Sequence, residues 1–122
     1  MSKILASTMS HTDLSDLEYH RLAGAVLATI ESTVDAWLQD DVIDIDASRT
    51  GGLLELAFPN GSKIVVNTQP PLQELWVAAR AGGYHFKYVD GAWRDREGHE
   101  LFALLSARAS EQGGKPLQFR PA

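Results

Sequence analysis

Four of the seven residues from 40 to 46 are aspartates: Asp40, Asp41, Asp44 and Asp46. The nearest bases along the chain are Arg21 on one side and Arg49 on the other. Carboxylates this dense repel one another, so their chemistry is that of an attractor. Oxygen donors of this type suit hard cations such as Mg²⁺, Ca²⁺, Mn²⁺, Fe²⁺ and Fe³⁺. A dense negative patch also suits a basic protein surface. Two further carboxylates, Glu31 and Asp35, stand one helical turn apart just upstream, at a repulsive cost of a few tenths of a kcal/mol. Together the six could line one ridge where a helix end meets a strand. Exposed, mostly monodentate carboxylates with no enclosing loop bind weakly, on the order of 10⁻⁵ to 10⁻³ M by analogy with loose calcium sites. The plain alternative is a solvated acidic face that keeps the chain soluble. Asp44, Asp46, Ser48 and Glu55 do mimic part of a calcium loop, but Arg49 stands where that loop demands glycine.

Other chemistries find little support. The chain has no cysteine, which excludes disulfides, thiolate metal sites and a cysteine nucleophile, and fits a reducing cytoplasm. His20, His85 and His99 form no paired-histidine or zinc-protease spacing, and no nucleophile elbow, phosphate loop or dinucleotide fingerprint occurs. No catalytic residue is assigned. Residues 13–46 hold nine acids against one base, Arg21. Such a surface repels nucleic-acid phosphates and argues against DNA or RNA as a partner.

The elements that must position the acids follow from periodicity. Ser15 and Glu18 make a capping box, and Tyr19, Leu22, Ala23, Val26, Ile30, Val34 and Trp37 recur at helical spacing, predicting a helix that ends near Leu38 or Gln39. His20, Gly24, Glu31 and Asp35 fall on its wet side. The period then becomes two: Ile43 and Ile45 alternate with Asp44 and Asp46, after which "ASRTGG" is expected to turn the chain into "LLELAF". Asn60-Gly61 and Asp90-Gly91 mark hairpins, and Pro70-Pro71 precedes a strand "LQELWVAAR". Gly82-Gly83 leads into "YHFKYV". A second helix runs from about His99 to Gln112, ended by Gly113-Gly114, and Leu117 and Phe119 of the tail pack back onto the body.

Helix, five or six strands, helix: this pattern predicts an α+β two-layer sandwich with both helices on one face of an antiparallel sheet. The opposite face meets water. Trp76 belongs to that open face, with Asn67 and Gln69 nearby, a combination suited to docking a partner because tryptophan is a frequent hot spot. At 122 residues the chain predicts one domain over 13–122, preceded by a flexible N-terminal extension over 1–12. No apolar run approaches the ~20 residues of a membrane span.

"EYHRLA" at 18–23, "GGLLELAFPNGSKIVVNTQPPLQELWVA" at 51–78 and "GGYHFKYVDGAW" at 82–93 resemble the frataxin family, in its bacterial, CyaY-type branch. The resemblance runs in order from about Leu17 to Arg120. It implies a frataxin-like fold and weak binding of iron, as Fe²⁺ or Fe³⁺, on an acidic ridge, with no organic cofactor. It implies docking on the cysteine desulfurase of iron–sulfur cluster assembly, with the scaffold protein as a second candidate partner, in the cytoplasm and away from membranes. Carried over by position, the ridge is Glu31, Asp35, Asp40, Asp41, Asp44 and Asp46, with His20 matching a histidine near the helix start. Asn67, Gln69 and Trp76 match sheet-surface contact residues. Related bacterial members carry adjacent acidic pairs on the first helix, whereas Ser32 follows Glu31 and Ala36 follows Asp35 here; the ridge is thinner. The expectation is a non-enzymatic, monomeric adaptor that regulates cluster assembly, open to iron-induced oligomers. The alternative is a ferroxidase that oxidises Fe²⁺ and stores it in iron-loaded oligomers.

Overall fold

The computed structural model describes residues 14–122; the extension expected over 1–12 lies outside the described residues. Ser15 caps the first helix, α1 (Asp16–Gln39), its hydroxyl accepting from the backbone N–H of Glu18 at 3.0 Å. Tyr19, Ala23, Val26, Leu27, Ile30 and Val34 are buried along one side of α1, as the three- and four-residue spacing requires. Leu27 broadens the expected stripe, whereas Leu22 and Trp37 are only half-buried.

Six strands follow: β1 (Asp46–Thr50), β2 (Leu53–Ala57), β3 (Lys63–Gln69), β4 (Glu74–Ala79), β5 (Gly82–Val89) and β6 (Ala92–Arg94). They form one antiparallel sheet in sequence order, each strand beside the next. The first strand lies later than its alternation suggests. Residues 43–45 are irregular, and Ser48, Arg49 and Thr50 belong to β1 rather than to a turn. The turn itself is Gly51-Gly52 alone, between the paired Thr50 and Leu53. Gly51 has φ 58, which favours glycine, and a Cβ on Gly52 would stand 2.0 Å from Thr68 Oγ1. Asp90 and Gly91, both at positive φ, make the tight hairpin turn between Val89 and Ala92. Pro70–Leu72 forms a short 3₁₀ turn, so β4 begins only at Glu74.

Helix α2 (Leu101–Gly113) is capped by the Glu100 carboxylate, which accepts from the N–H groups of Phe102 and Ala103, and ended by Gly114 at φ 73. Both helices pack on the sheet face that presents Leu54, Leu56, Ile64, Val66, Leu75, Val77 and Phe86. Tyr19 packs edge-on to Trp93, and Trp37 lies 4.7 Å from the Phe119 ring. The tail therefore closes the core as expected, with Leu117 and Phe119 buried and their amides bonded to Ser110 and Ser106. Two helices over a six-stranded antiparallel sheet is the expected α+β sandwich.

Candidate functional site

The acidic residues are set by how α1 ends. Asp40 caps the helix and Asp41 adopts φ 62. The Asp41 N–H donates to Leu38 O at 3.2 Å and the Val42 N–H to Trp37 O at 2.8 Å. That bond pair is a Schellman closure with aspartate where glycine is usual, and Trp37 and Val42, which flank it, are both half-buried against the core. The geometry throws Asp40 and Asp41 to the exposed side. Beyond them Ile45 is buried, so its neighbours Asp44 and Asp46 face water. Upstream, Asp35 is exposed and accepts from Gln39 Nε2 at 3.1 Å.

This edge is electrostatically uncomfortable. The C-terminus of α1 carries the negative end of its dipole, and no basic residue occupies the last turn. Each carboxylate there costs about 0.3–1 kcal/mol relative to a neutral group, less in salt. The side chains of Asp40, Asp41, Asp44 and Asp46 have no hydrogen-bonded or ion-paired partner among the described residues. Glu31 differs. Arg49, eighteen residues on, places Nη1 2.8 Å from Glu31 Oε1. Register explains the reach: Arg49 pairs with Leu54, whose side chain is buried, so Arg49 projects toward the helices. A second base, Lys115, donates to the Val42 carbonyl at 2.5 Å, within the acidic stretch.

Among the described residues no three His, Asp or Glu side chains stand together as a preformed metal cage. The donors suit hard cations, and the arrangement suits loose attraction rather than enclosed coordination. His20 is exposed near the start of α1, edge-on to the Tyr19 ring. It lies eleven residues before Glu31, roughly 16 Å along the axis at 1.5 Å per residue, and the structure does not bring it to the acidic edge.

The second surface is the sheet face without helices. Strand register aligns Thr50, Leu53, Asn67, Trp76 and His85 across five strands in one row. Gln69 starts the next, beside Glu74 and Lys87. The Trp76 and His85 rings stack with centroids 4.0 Å apart and 7° between planes. Trp76 Nε1 donates to Glu74 Oε1 at 2.7 Å, and Glu74 Oε2 lies 3.3 Å from Lys87 Nζ. The indole is thus fixed flat, its edge anchored and one face covered. Sequence reasoning treats His85 as incidental, since only the pairing of β4 with β5 places it on Trp76. Leu53, 39% exposed, is likewise revealed by register alone. A shallow cleft of about 150 Å³ is bordered by Asn67, Trp76 and His85.

Fold and surfaces together define a class: a small α+β sandwich with two open faces, one acidic and one aromatic. A family model described as a frataxin-like domain matches residues 12–115, and the chain belongs to the frataxin family. It is 53% identical over 107 residues to the iron–sulfur cluster assembly protein CyaY of Burkholderia mallei, covering 87% of this chain and 98% of that one. The frataxin of Psychromonas ingrahamii superposes with a TM-score of 0.77 at 32% identity, over 88% of this chain and 99% of that one. A trimeric frataxin of the yeast Saccharomyces cerevisiae, crystallised in complex with ferrous iron, shares the fold at a TM-score of 0.61 and 23% identity, over 85% and 90% of the two chains.

Proposed function

We propose that this protein acts in iron–sulfur cluster assembly as a non-enzymatic adaptor. It binds iron weakly on the edge formed by Glu31, Asp35, Asp40, Asp41, Asp44 and Asp46, and docks on the cysteine desulfurase. One observation carries this reading. Aspartates with no partner among the described residues crowd the negative end of a helix dipole, at a cost to stability, on a chain 53% identical to a protein named for iron–sulfur cluster assembly. A basic surface of the desulfurase fits that edge by charge, steered at long range and weakened by salt. The open face, with Trp76, Asn67 and Gln69, is the second contact, toward the desulfurase or the scaffold protein. His20, far from the edge, is at most a separate, weaker ligand. No helix among the described residues is long and apolar enough to cross a membrane, which accords with work in the cytoplasm. A ferroxidase would need two irons held close together, and the spread of these donors does not favour it.

The test is an anaerobic Fe²⁺ titration followed by amide NMR at low and moderate salt. Selective loss of signals from Glu31, Asp35 and residues 40–46, weaker at moderate salt, is the expected result. Undisturbed signals, with the same residues responding to added desulfurase, would remove iron from the role and leave a pure protein-binding edge.

A further inference from the structure

We propose that Arg49 is a tethered counter-ion that keeps Glu31 out of cation binding in the resting protein, so that iron reaches the Asp40–Asp46 end of the edge first. The inference rests on the reading of that edge as an iron site and concerns how the site is regulated.

The geometry is specific to this pair. Arg49 Nη1 meets Glu31 Oε1 at 2.8 Å, with both side chains only 34% exposed. A guanidinium–carboxylate pair with side chains exposed to this extent is screened somewhat less than one standing in open water. Among the described residues Asp35, one turn away, is bonded only to the neutral amide of Gln39, which a cation displaces easily. Asp40, Asp41, Asp44 and Asp46 offer carboxylates with no ion-pair partner among the described residues. The other base at the edge, Lys115, is held on a backbone carbonyl and leaves those carboxylates free. A metal ion approaching Glu31 must break an existing ion pair and sit beside a fixed positive charge. One approaching residues 40–46 breaks no ion pair among the described residues, and the Lys115 ammonium beside that stretch is held on the Val42 carbonyl rather than on a carboxylate. Glu31 therefore becomes a ligand only when Arg49 is drawn away from it.

An anaerobic Fe²⁺ titration of the full chain and of Arg49→Gln, read by amide NMR, tests the proposal. In the parent chain, signals of residues 40–46 fade before that of Glu31. In Arg49→Gln they fade together, and the apparent Kd falls about three- to tenfold. Arg49→Lys, which keeps the charge, stays close to the parent. Glu31→Gln gives an independent reading that does not need Arg49 altered: its Kd stays within about twofold of the parent, because the carboxylate it removes is already occupied. A Kd and order of fading in Arg49→Gln identical to the parent, or a large loss of affinity in Glu31→Gln, overturns the proposal and leaves the iron reading standing. Binding by Arg49→Gln but not by the parent does the reverse, upholding Arg49 as the block and removing iron from the resting chain. Silence from both chains overturns both.

Discussion

At the scale of single residues, the acidic edge is expensive to the fold, and Asp41 bears the cost most directly. It holds φ 62, a conformation that glycine adopts freely, beside the negative end of α1. Asp41→Gly should therefore stabilise the protein by about 0.5–1 kcal/mol while weakening cation attraction. A urea titration measures the first effect; a less stable variant would show that Asp41 makes a contact worth more than its strain. Legibility at this scale was uneven. The six carboxylates and Trp76 stand out because residue type alone marks them. Arg49 does not, because its partner Glu31 lies eighteen residues away and only the packing of β1 beside α1 joins them. His85 escaped for the same reason: its stacking on Trp76 is a property of strand register.

At the scale of elements, local signals located most boundaries. The Ser15 cap, the Asp90-Gly91 turn and the Gly114 stop each act through the chain within a few residues, so they can be read there. The first strand was misplaced because alternation records burial, not hydrogen bonding. Ile45 is buried and its neighbours exposed, as in a strand, yet the ladder with β2 begins only at Asp46. Gln112 shows a further limit. A polar residue near a helix end invites a solvated reading, but Gln112 is buried and clasps two hairpins. Its Nε2 donates to Ser62 Oγ and Lys63 O, its Oε1 accepts from the Arg80 N–H, and its backbone carbonyl accepts from Asn60 Nδ2. Helix α2 is thus fastened to the β2–β3 and β4–β5 hairpins through one side chain. Gln112→Ala strands the Arg80 N–H and the Lys63 carbonyl and should cost about 2–4 kcal/mol. Chemical denaturation gives the loss, and faster hydrogen exchange at Arg80 would locate it; an unchanged midpoint would mean that water replaces the amide.

At the scale of the whole molecule, the fold separates its tasks. One sheet face is spent on the core and the other left open, while charge gathers where α1 meets β1. The sandwich was legible because two helices can cover only one face of a sheet, and the hairpin signals counted the strands. The Arg49–Glu31 pair at the acidic edge was not, since it depends on distances across the fold. Stability should also respond to pH through Asp95, which borders a cleft shared with His85. Burial opposes ionisation of Asp95, whose side chain is 8% exposed, but the His99 ring and the His99 and Glu97 amides hydrogen-bond its carboxylate and outweigh burial. The carboxyl is held below its ordinary value of 3.8 in the folded state. The unfolded chain thus takes up the proton more readily, and the contribution is present above that value and lost as pH falls through the depressed one. Thermal melts of the parent and Asp95→Asn should differ at pH 6 and converge in strong acid; a gap that persists there would trace the stabilisation to shape rather than charge. The position of β1 has a last consequence. Among the described residues it is an outer strand, with no strand paired along its far side and every residue exposed. Such a border invites a neighbouring copy to zip onto it. Asp46 at its start and Arg49 aimed toward the helices are the kind of charges that discourage stacking into fibres.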